Sequence, residues 1–586
     1  MTPTPTINPD IAPRRADFST LPEALDYAAK GVTGLNFYSA RCELASTFPF
    51  SLMRDRAVEL ARSLIQAGIK TNASVVLLGD TDPEIITAFF ACQYASLIPV
   101  IVPIPASLGG RDAYVASLKR LLASSEAAVA MAPEGYLGFL KQAVEGENDA
   151  PMIGTPAEFA MLPGQAVDPR PFGPDDPCYL QYSSGSTRWP LGVDVPQRCL
   201  MANAHAIATA GLDIRSDDRG VSWLPLYHDM GLVGFLLVPM MCQLSTDFMA
   251  TRDFARRSLS WLQLFNDNGG TLAYSPTFGF DLCCRRAANS SSLNLDLSSW
   301  RAAGIGGDMI QPQVMERFAE TFEPHGFKRT AFVASYGMAE ATLAVSFAPL
   351  NRGLEVDVID RGRLENEQVA AVVANDDTID QRGFAFCGPP LPEHVIEIRG
   401  EDGSSLPDRE VGRIFVKGPS IAEGYFGEPE ATAEAFQDGW LDTGDLGYLV
   451  DGNVVITGRI KDLMIINGRN IWPQDIEWAV ETLPGLRRGD VAVFSIEDGH
   501  RDPRVVVLIQ CRRQEIEARE QLKRDVKAMA TRTAAIDGDI VLVPPHSLPM
   551  TSSGKLSRAR ARQNYLDGHY ADTAFDDEPV VMAAGD

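Results

Sequence analysis

Long apolar runs are missing from this chain. No stretch approaches the about 18 uninterrupted apolar residues that a membrane-spanning helix needs, and the most apolar one, residues 231–242, is too short. The opening residues show no basic segment followed by an apolar one, so no secretory signal is read and a cytoplasmic location is expected. Cysteine is sparse and unpatterned: nine residues, an odd number, with no C-x-x-C pair and only Cys283 and Cys284 adjacent. That speaks against a disulfide framework and predicts reduced, mostly buried thiols. Positive charge is also short, with 52 Lys and Arg against 77 Asp and Glu and a net charge of −25. Such an excess disfavours nucleic acid or an anionic membrane as the main partner, while leaving room for a local basic patch. A further absence is chemical. The Ser/Gly-rich loop that could take a phosphate has no lysine, so it is not the Gly-x-x-x-x-Gly-Lys-Ser/Thr loop of many nucleotide-binding proteins.

What is present is ordinary globular material. The 586 residues are 45% hydrophobic and 22% charged, too long a chain for one core, so two or more domains are expected. Residues 1–20 are rich in Pro and Thr and read as a loose arm. Apolar residues at 57, 60, 61, 64 and 65 predict a helix with Gly68 placed to end it. A strand over 74–78, a helix opened by Pro83 and a strand over 99–102 predict a parallel α/β layer. Residues 198–211 read as a helix, 414–416 as a strand, and Gly418 and Gly424 as turns. Toward the end, apolar runs at 491–496, 505–510 and 540–543 flank a charged helix around 515–531, which fits a small α+β domain. The tail from residue 571 is acidic.

Five short stretches carry chemistry. Between apolar strands lies the loop Ser183, Ser184, Gly185, Ser186, Thr187, Arg188, whose hydroxyls and crowded N–H groups could cradle a phosphate; the plain alternative is a surface linker. His228 and Asp229 sit at a helix start, either as a satisfied pair at the helix dipole or as a gate beside a substrate carboxylate. A glycine-permitted turn follows at Gly306, Gly307 and Asp308. Ser335, Tyr336, Gly337, Met338 and Glu340 combine a ring that could stack on a purine with a carboxylate suited to Mg²⁺. Near the end, Lys555 stands on a Ser/Gly loop, either a mobile catalytic charge or an exposed turn lysine.

In this order these stretches resemble the adenylate-forming superfamily, and within it the fatty acyl-AMP ligases. Arg188 and Leu191 in the phosphate loop, the segment WLPLYHDMGL around His228 and the run NGRN…PQDIE at 467–477 carry the branch resemblance. It implies a large N-terminal domain of layered sheets and helices (1–460), a hinge at Asp462, and a small mobile α+β domain with its tail (461–586). It also implies that adenine lies along 306–308 and Tyr336, that Asp445 holds the ribose, and that Arg459 approaches ribose and phosphate. Glu340 would hold Mg²⁺, His228 would gate the acyl site, and Lys555 would be catalytic. ATP and Mg²⁺ are the implied cofactors. The implied partners are a fatty acid and an acyl carrier protein or carrier domain of a polyketide or peptide synthase. A family insertion near 353–382 is thought to restrain the small domain and disfavour free CoA. Asp445 is otherwise read as sitting in a tight glycine turn. Phe278 and Phe280 are candidate linings of the acyl tunnel, against the commoner reading of buried aromatics as plain core. Arg487, Arg488, Arg512, Arg513, Arg558, Arg560 and Arg562 are the candidate patch for an acidic carrier. Two alternatives stay open: an acyl-CoA synthetase using free CoA, and a non-catalytic lipid- or nucleotide-binding relative.

Overall fold

The computed structural model describes residues 11–105, 111–162, 167–183, 190–290, 293–373, 381–466, 468–496, 503–551 and 555–570. The apolar runs SVVLL and IPVIV become the parallel strands Ser74–Leu78 and Ile98–Val102, joined by the helix Pro83–Ala95. Every residue of both strands is buried, which is why they read as continuous apolar runs. Asp82 caps the intervening helix by accepting from the Glu84 N–H, with proline in the first turn. Ala127–Met131 and Met152–Gly154 complete this four-stranded sheet.

A second, eight-stranded sheet positions the site. Its middle is parallel: Gly34–Tyr38, Ser245–Met249, Arg219–Ser222, Leu272–Ser275, Ala302–Ile305 and Phe332–Gly337 run side by side in that order. Antiparallel strands, Leu44–Pro49 and Ala344–Phe347, close its two edges. Behind it lies an aromatic core in which Trp261 and Trp300 are buried and pack edge-on, with Phe265 stacked on Trp300 and Phe280 against Phe318. Residues 464–542 build a separate core around Val491–Ile496, Arg504–Gln510 and Asp539–Val543, covered by the helices Pro473–Val480 and Ile516–Ala534.

Several local expectations are corrected. The helix read over 198–211 is α-helical only over Gln197–Ala206 and then widens into the π-helical turn Ile207–Gly211. Gly424 and Tyr425 form a short strand paired with Asp194 and Val193, not a turn. Asp445 is not in a β-turn either. It lies inside the long strand Trp440–Val450, directly across from Arg459, and Gly444 before it takes φ 69°, a kink only glycine accepts cheaply. All nine cysteines are free and all but Cys42 are buried. Among the described residues no helix is long and apolar enough to cross a membrane.

Candidate active site

The parallel strands end together, and their C-terminal ends carry the polar residues. Such ends are the usual place for a ligand in an open α/β sheet. Past Ala302–Ile305 the chain turns at Gly307, φ 75°. A Cβ there would lie 2.7 Å from Met230 Cε and 3.9 Å from Lys555 Nζ, so the bare glycine leaves room for Met230 and lies close to the Lys555 ammonium. Lys555 thus reaches this region from the far end of the sequence. Its own loop is folded back by the Thr551 N–H donating to the Lys555 carbonyl (2.7 Å) and by the Lys555 N–H donating to Thr551 Oγ1 (3.1 Å).

The strand Phe332–Gly337 ends in Ser335, Tyr336 and Gly337, and Met338 leads into a single turn of 3₁₀-helix, Ala339–Ala341, that carries Glu340. The Tyr336 hydroxyl donates to Asp445 Oδ2 at 2.8 Å, while Arg459 Nε stands 3.2 Å from Asp445 Oδ1. Burial holds the Asp445 carboxyl above its usual range, and Arg459 opposes that. Glu340 is likewise raised by burial, and its Oε1 accepts from the Tyr425 hydroxyl at 2.9 Å. A carboxylate with one oxygen engaged by a phenol, in a buried setting that disfavours its bare charge, is a fitting ligand for a hard divalent cation sharing phosphate oxygens. Tyr425 is a residue the sequence reading missed; nothing in a Gly-Tyr-Phe triplet signals a contact 85 positions away.

His228 and Asp229 face the same region. Burial first, then the Lys555 charge, pushes the His228 imidazole down to about 3, so it is neutral at physiological pH. Burial raises Asp229 to about 6, moderated by the Met230 N–H that its Oδ1 accepts at 2.8 Å and by Lys555. Gln181 fixes the segment from behind, donating to the Tyr227 carbonyl at 2.8 Å. Asp308 turns toward residues of the C-terminal core, with Arg488 3.6 Å away. Of the phosphate-loop residues, Ser183 ends the strand Pro177–Ser183, but its side chain and all of Ser184, Gly185, Ser186, Thr187 and Arg188 lie outside the described residues.

From this polar cluster an apolar tunnel runs along the sheet. Asp229, Met230, Gly307 and Tyr336 line its mouth, taken as the end beside the C-terminal ends of the strands, and Leu343, Phe347, Gly220, Leu272, Leu212, Ile214 and Leu244 are among its other lining residues. Gly220 and Leu272 lie at the N-terminal ends of their strands, so the tunnel spans about 10 Å of sheet from mouth to floor at roughly 3.3 Å per residue. One sheet face supplies Leu272 and Tyr274 from one strand and Ser335 and Gly337 from another, the spacing of two that a pleat requires. The opposite wall comes from two π-helical turns, Ile207–Gly211 and Leu232–Leu237. Such turns are rare and recur at functional sites. Phe278 and Phe280 do not line it: Phe278 packs edge-on against Trp223, and Phe280 belongs to the aromatic core.

The insertion near 353–382 is a hairpin, Val356–Asp360 with Gln381–Ala385, carrying the helix Arg361–Glu367. It touches the C-terminal core directly. Arg361 donates to the Thr533 carbonyl at 2.7 Å, Arg382 stands 2.9 Å from Asp475, and Glu365 pairs with Arg469. At Asp462, the expected hinge, Oδ2 accepts from Arg558 Nη1 at 2.7 Å, and the same guanidinium engages both oxygens of Glu477 at 2.8 and 2.6 Å. Arg558 is therefore a half-buried cation tied to two carboxylates. Arg512 pairs with Asp490, Arg513 donates to backbone carbonyls, and Arg562 donates to the Ser495 carbonyl, while Arg487 and Arg560 are exposed.

Comparison with known proteins fits this geometry. The AMP-binding enzyme family model matches residues 41–426. A Caulobacter vibrioides protein provisionally named an acyl-CoA synthetase is 50% identical over 97% of this chain and 99% of its own length. The medium-chain-fatty-acid–[acyl-carrier-protein] ligase JamA of Moorena producens is 32% identical over 94% of this chain and 96% of its own. A solved structure from the fatty acyl-adenylate ligases of E. coli and L. pneumophila is 43% identical and matches with a TM-score of 0.91, covering 96% of this chain and 100% of the other. The chain belongs to the AMP-binding enzyme family, as an adenylate-forming ligase of the fatty acyl-AMP ligase group.

Proposed function

We infer that this enzyme condenses a fatty acid with ATP to an acyl-adenylate and then passes the acyl group to the phosphopantetheine thiol of an acyl carrier protein or carrier domain. The observation that carries the first half is the apolar tunnel opening beside Tyr336, Gly307 and Lys555. A carboxylate whose chain fills that tunnel leaves its head group at the mouth, where the α-phosphate must be. One carboxylate oxygen forms the new bond to the α-phosphorus, the bond to the departing pyrophosphate breaks, and no protein nucleophile is needed. Positioning does most of the work. Lys555 would sit over the oxygens shared by carboxylate and α-phosphate, where charge gathers in the transition state. Asp445 would receive the ribose hydroxyls, Tyr336 with Gly306, Gly307, Asp308, Ser335, Gly337 and Met338 would form the adenine face, and Arg459 would close on ribose and phosphate. Ser183 to Arg188 would hold the outer phosphates. Neutral His228 would shape the acyl entrance without adding charge. Glu340 would hold Mg²⁺, which when bound screens the phosphate charge.

For the second half, the support is the insertion. Its ion pairs to Asp475 and Arg469 hold the small domain, which we place at 461–586 with Asp462 as its hinge. A domain held this way resists the rearrangement that free CoA demands, and JamA, by its name, acylates a carrier protein. The half-identical Caulobacter relative keeps acyl-CoA synthesis as the second reading. A cytoplasmic setting suits ATP and a carrier domain. The test is incubation with ATP, Mg²⁺ and a ladder of saturated fatty acids, followed by mass spectrometry. Acyl-AMP that depends on fatty acid and disappears in Lys555→Ala is expected. Folded protein that forms no acyl-AMP from any member of the ladder would overturn the reading.

A further inference from the structure

The turn that follows Glu340 is built in an unusual way. Thr342 has φ 70° and ψ −57°, and the Leu343 N–H donates back to the Ala341 carbonyl at 2.9 Å. This is a γ-turn with positive φ at its centre, the rare and strained hand, and it is formed by a β-branched residue. Strain of this kind persists only where the surroundings over-determine it. Here they do, on three sides. Thr342 Oγ1 donates to the Ser420 carbonyl at 2.8 Å, and the Ala422 N–H donates to the Glu340 carbonyl at 2.9 Å. Two residues on, buried Asn203 grips both peptide groups of Ala344, donating to its carbonyl at 2.7 Å and accepting from its N–H at 3.0 Å. Thr342 itself is 1% exposed.

The turn stands between two functional surfaces. Two positions before Thr342 is Glu340, held by Tyr425; one position after it is Leu343, in the tunnel wall. A relaxed, negative-φ backbone at 342 would change the angle between the two segments and could not keep both in place. We propose that Thr342 is a positioning residue whose clamped γ-turn fixes the Glu340 carboxylate and the Leu343 wall of the acyl tunnel in one register, so that the acid seated in the tunnel meets the nucleotide side correctly placed. This rests on the adenylation reading above. The hydroxyl is the clamp, and the strain is what the clamp restrains.

Two variants separate hydroxyl from shape. Thr342→Val keeps the branched side chain and removes the bond to Ser420; Thr342→Ser keeps the bond and relieves crowding. Two readouts report on the two surfaces: the dissociation constant of a fluorescent fatty acid measured without ATP, and kcat for acyl-AMP formation at saturating substrates. Thr342→Val is expected to weaken fatty-acid binding about 5-fold and to lower kcat about 10-fold, since small misplacements at a reacting centre are costly. Thr342→Ser is expected to stay within about 2-fold of the parent in both. A merely structural threonine would shift the melting temperature and leave both readouts alone. If Thr342→Val does not fold, Thr342→Gly, which carries no strain at this φ and lacks the hydroxyl, is read in the same way. A change in only one readout, or in neither, overturns the proposal. Absence of acyl-AMP from the parent enzyme refutes the adenylation reading instead, and the fatty-acid binding arm still reports on the turn.

Discussion

Asp229 shows how a single residue can oppose the fold that carries it. An unfolded aspartate titrates near 3.8, whereas burial in the folded chain raises this one to about 6. The folded state therefore holds an extra proton between those values. Its contribution to stability is intact below pH 3.8 and is lost as pH rises through 6, so at neutral pH the ionised carboxylate is a liability. Asp229→Asn should raise stability by roughly 1–2 kcal/mol at pH 7.5 and leave it unchanged near pH 4, as read by urea unfolding at the two values. Equal effects at both pH values would contradict this origin. The same variant should lower adenylation, because Lys555 loses an anionic neighbour at the tunnel mouth. The sequence named this residue and its companions, although Asp229, Gly307, Tyr336, Asp445 and Lys555 are scattered along the chain, because each stands in a short run with distinctive chemistry. Tyr425 and Thr342 stand in no such run. Their importance comes from a hydrogen bond to Glu340 and from a backbone angle, neither of which leaves a mark in the letters.

At the scale of elements, the tunnel is a product of two kinds of helix and one sheet face. The parallel strands Ser74–Leu78 and Ile98–Val102 were legible because their residues are apolar on both sides, whereas the tunnel strands Arg219–Ser222 and Leu272–Ser275, short and mixed with polar residues, were not read. The π-helical turns were not: inserting one residue into a turn leaves the apolar pattern of residues 207–211 and 232–237 almost unchanged, yet it moves a wall. For Phe278 and Phe280 the sequence likewise leaves tunnel lining and plain core both open. Aromatics near a predicted site look alike whether they line it or back it, and only packing against Trp223, Trp261 and Trp300 decides. The floor of the tunnel gives a direct prediction. Leu244, which precedes the strand Ser245–Met249, lines the cavity at the end where the strands begin, so Leu244→Trp should shorten the preferred acyl chain without abolishing adenylation of short acids. The chain-length profile of acyl-AMP formation checks it; an unshifted profile would remove Leu244 from the acyl path.

At the scale of the molecule, the question is what holds the C-terminal part over the site. The insertion near 353–382 was expected from the family resemblance, but its grip was not legible, because Arg361 meets Thr533 172 residues away and Glu365 meets Arg469 104 residues away. Arg382 and Asp475 are both buried, and a buried pair is costly to break by halves. Arg361 is the gentler probe, since Asp475 keeps Arg382 when Arg361 is removed. Arg361→Ala should speed tryptic cleavage after Arg459 and Lys461, at the proposed hinge, by about 3-fold or more through easier local opening. An unchanged cleavage rate would show that the insertion does not restrain this part of the chain. The central claim, that a restrained small domain delivers the acyl group to a carrier and not to CoA, is tested most directly by competition. The enzyme is given ATP, Mg²⁺, its preferred fatty acid, and equal concentrations of CoA and a holo-acyl carrier protein, and the acyl products are quantified by mass spectrometry. The account predicts acyl-AMP and acyl-carrier with little acyl-CoA; acyl-CoA as the main product would contradict it.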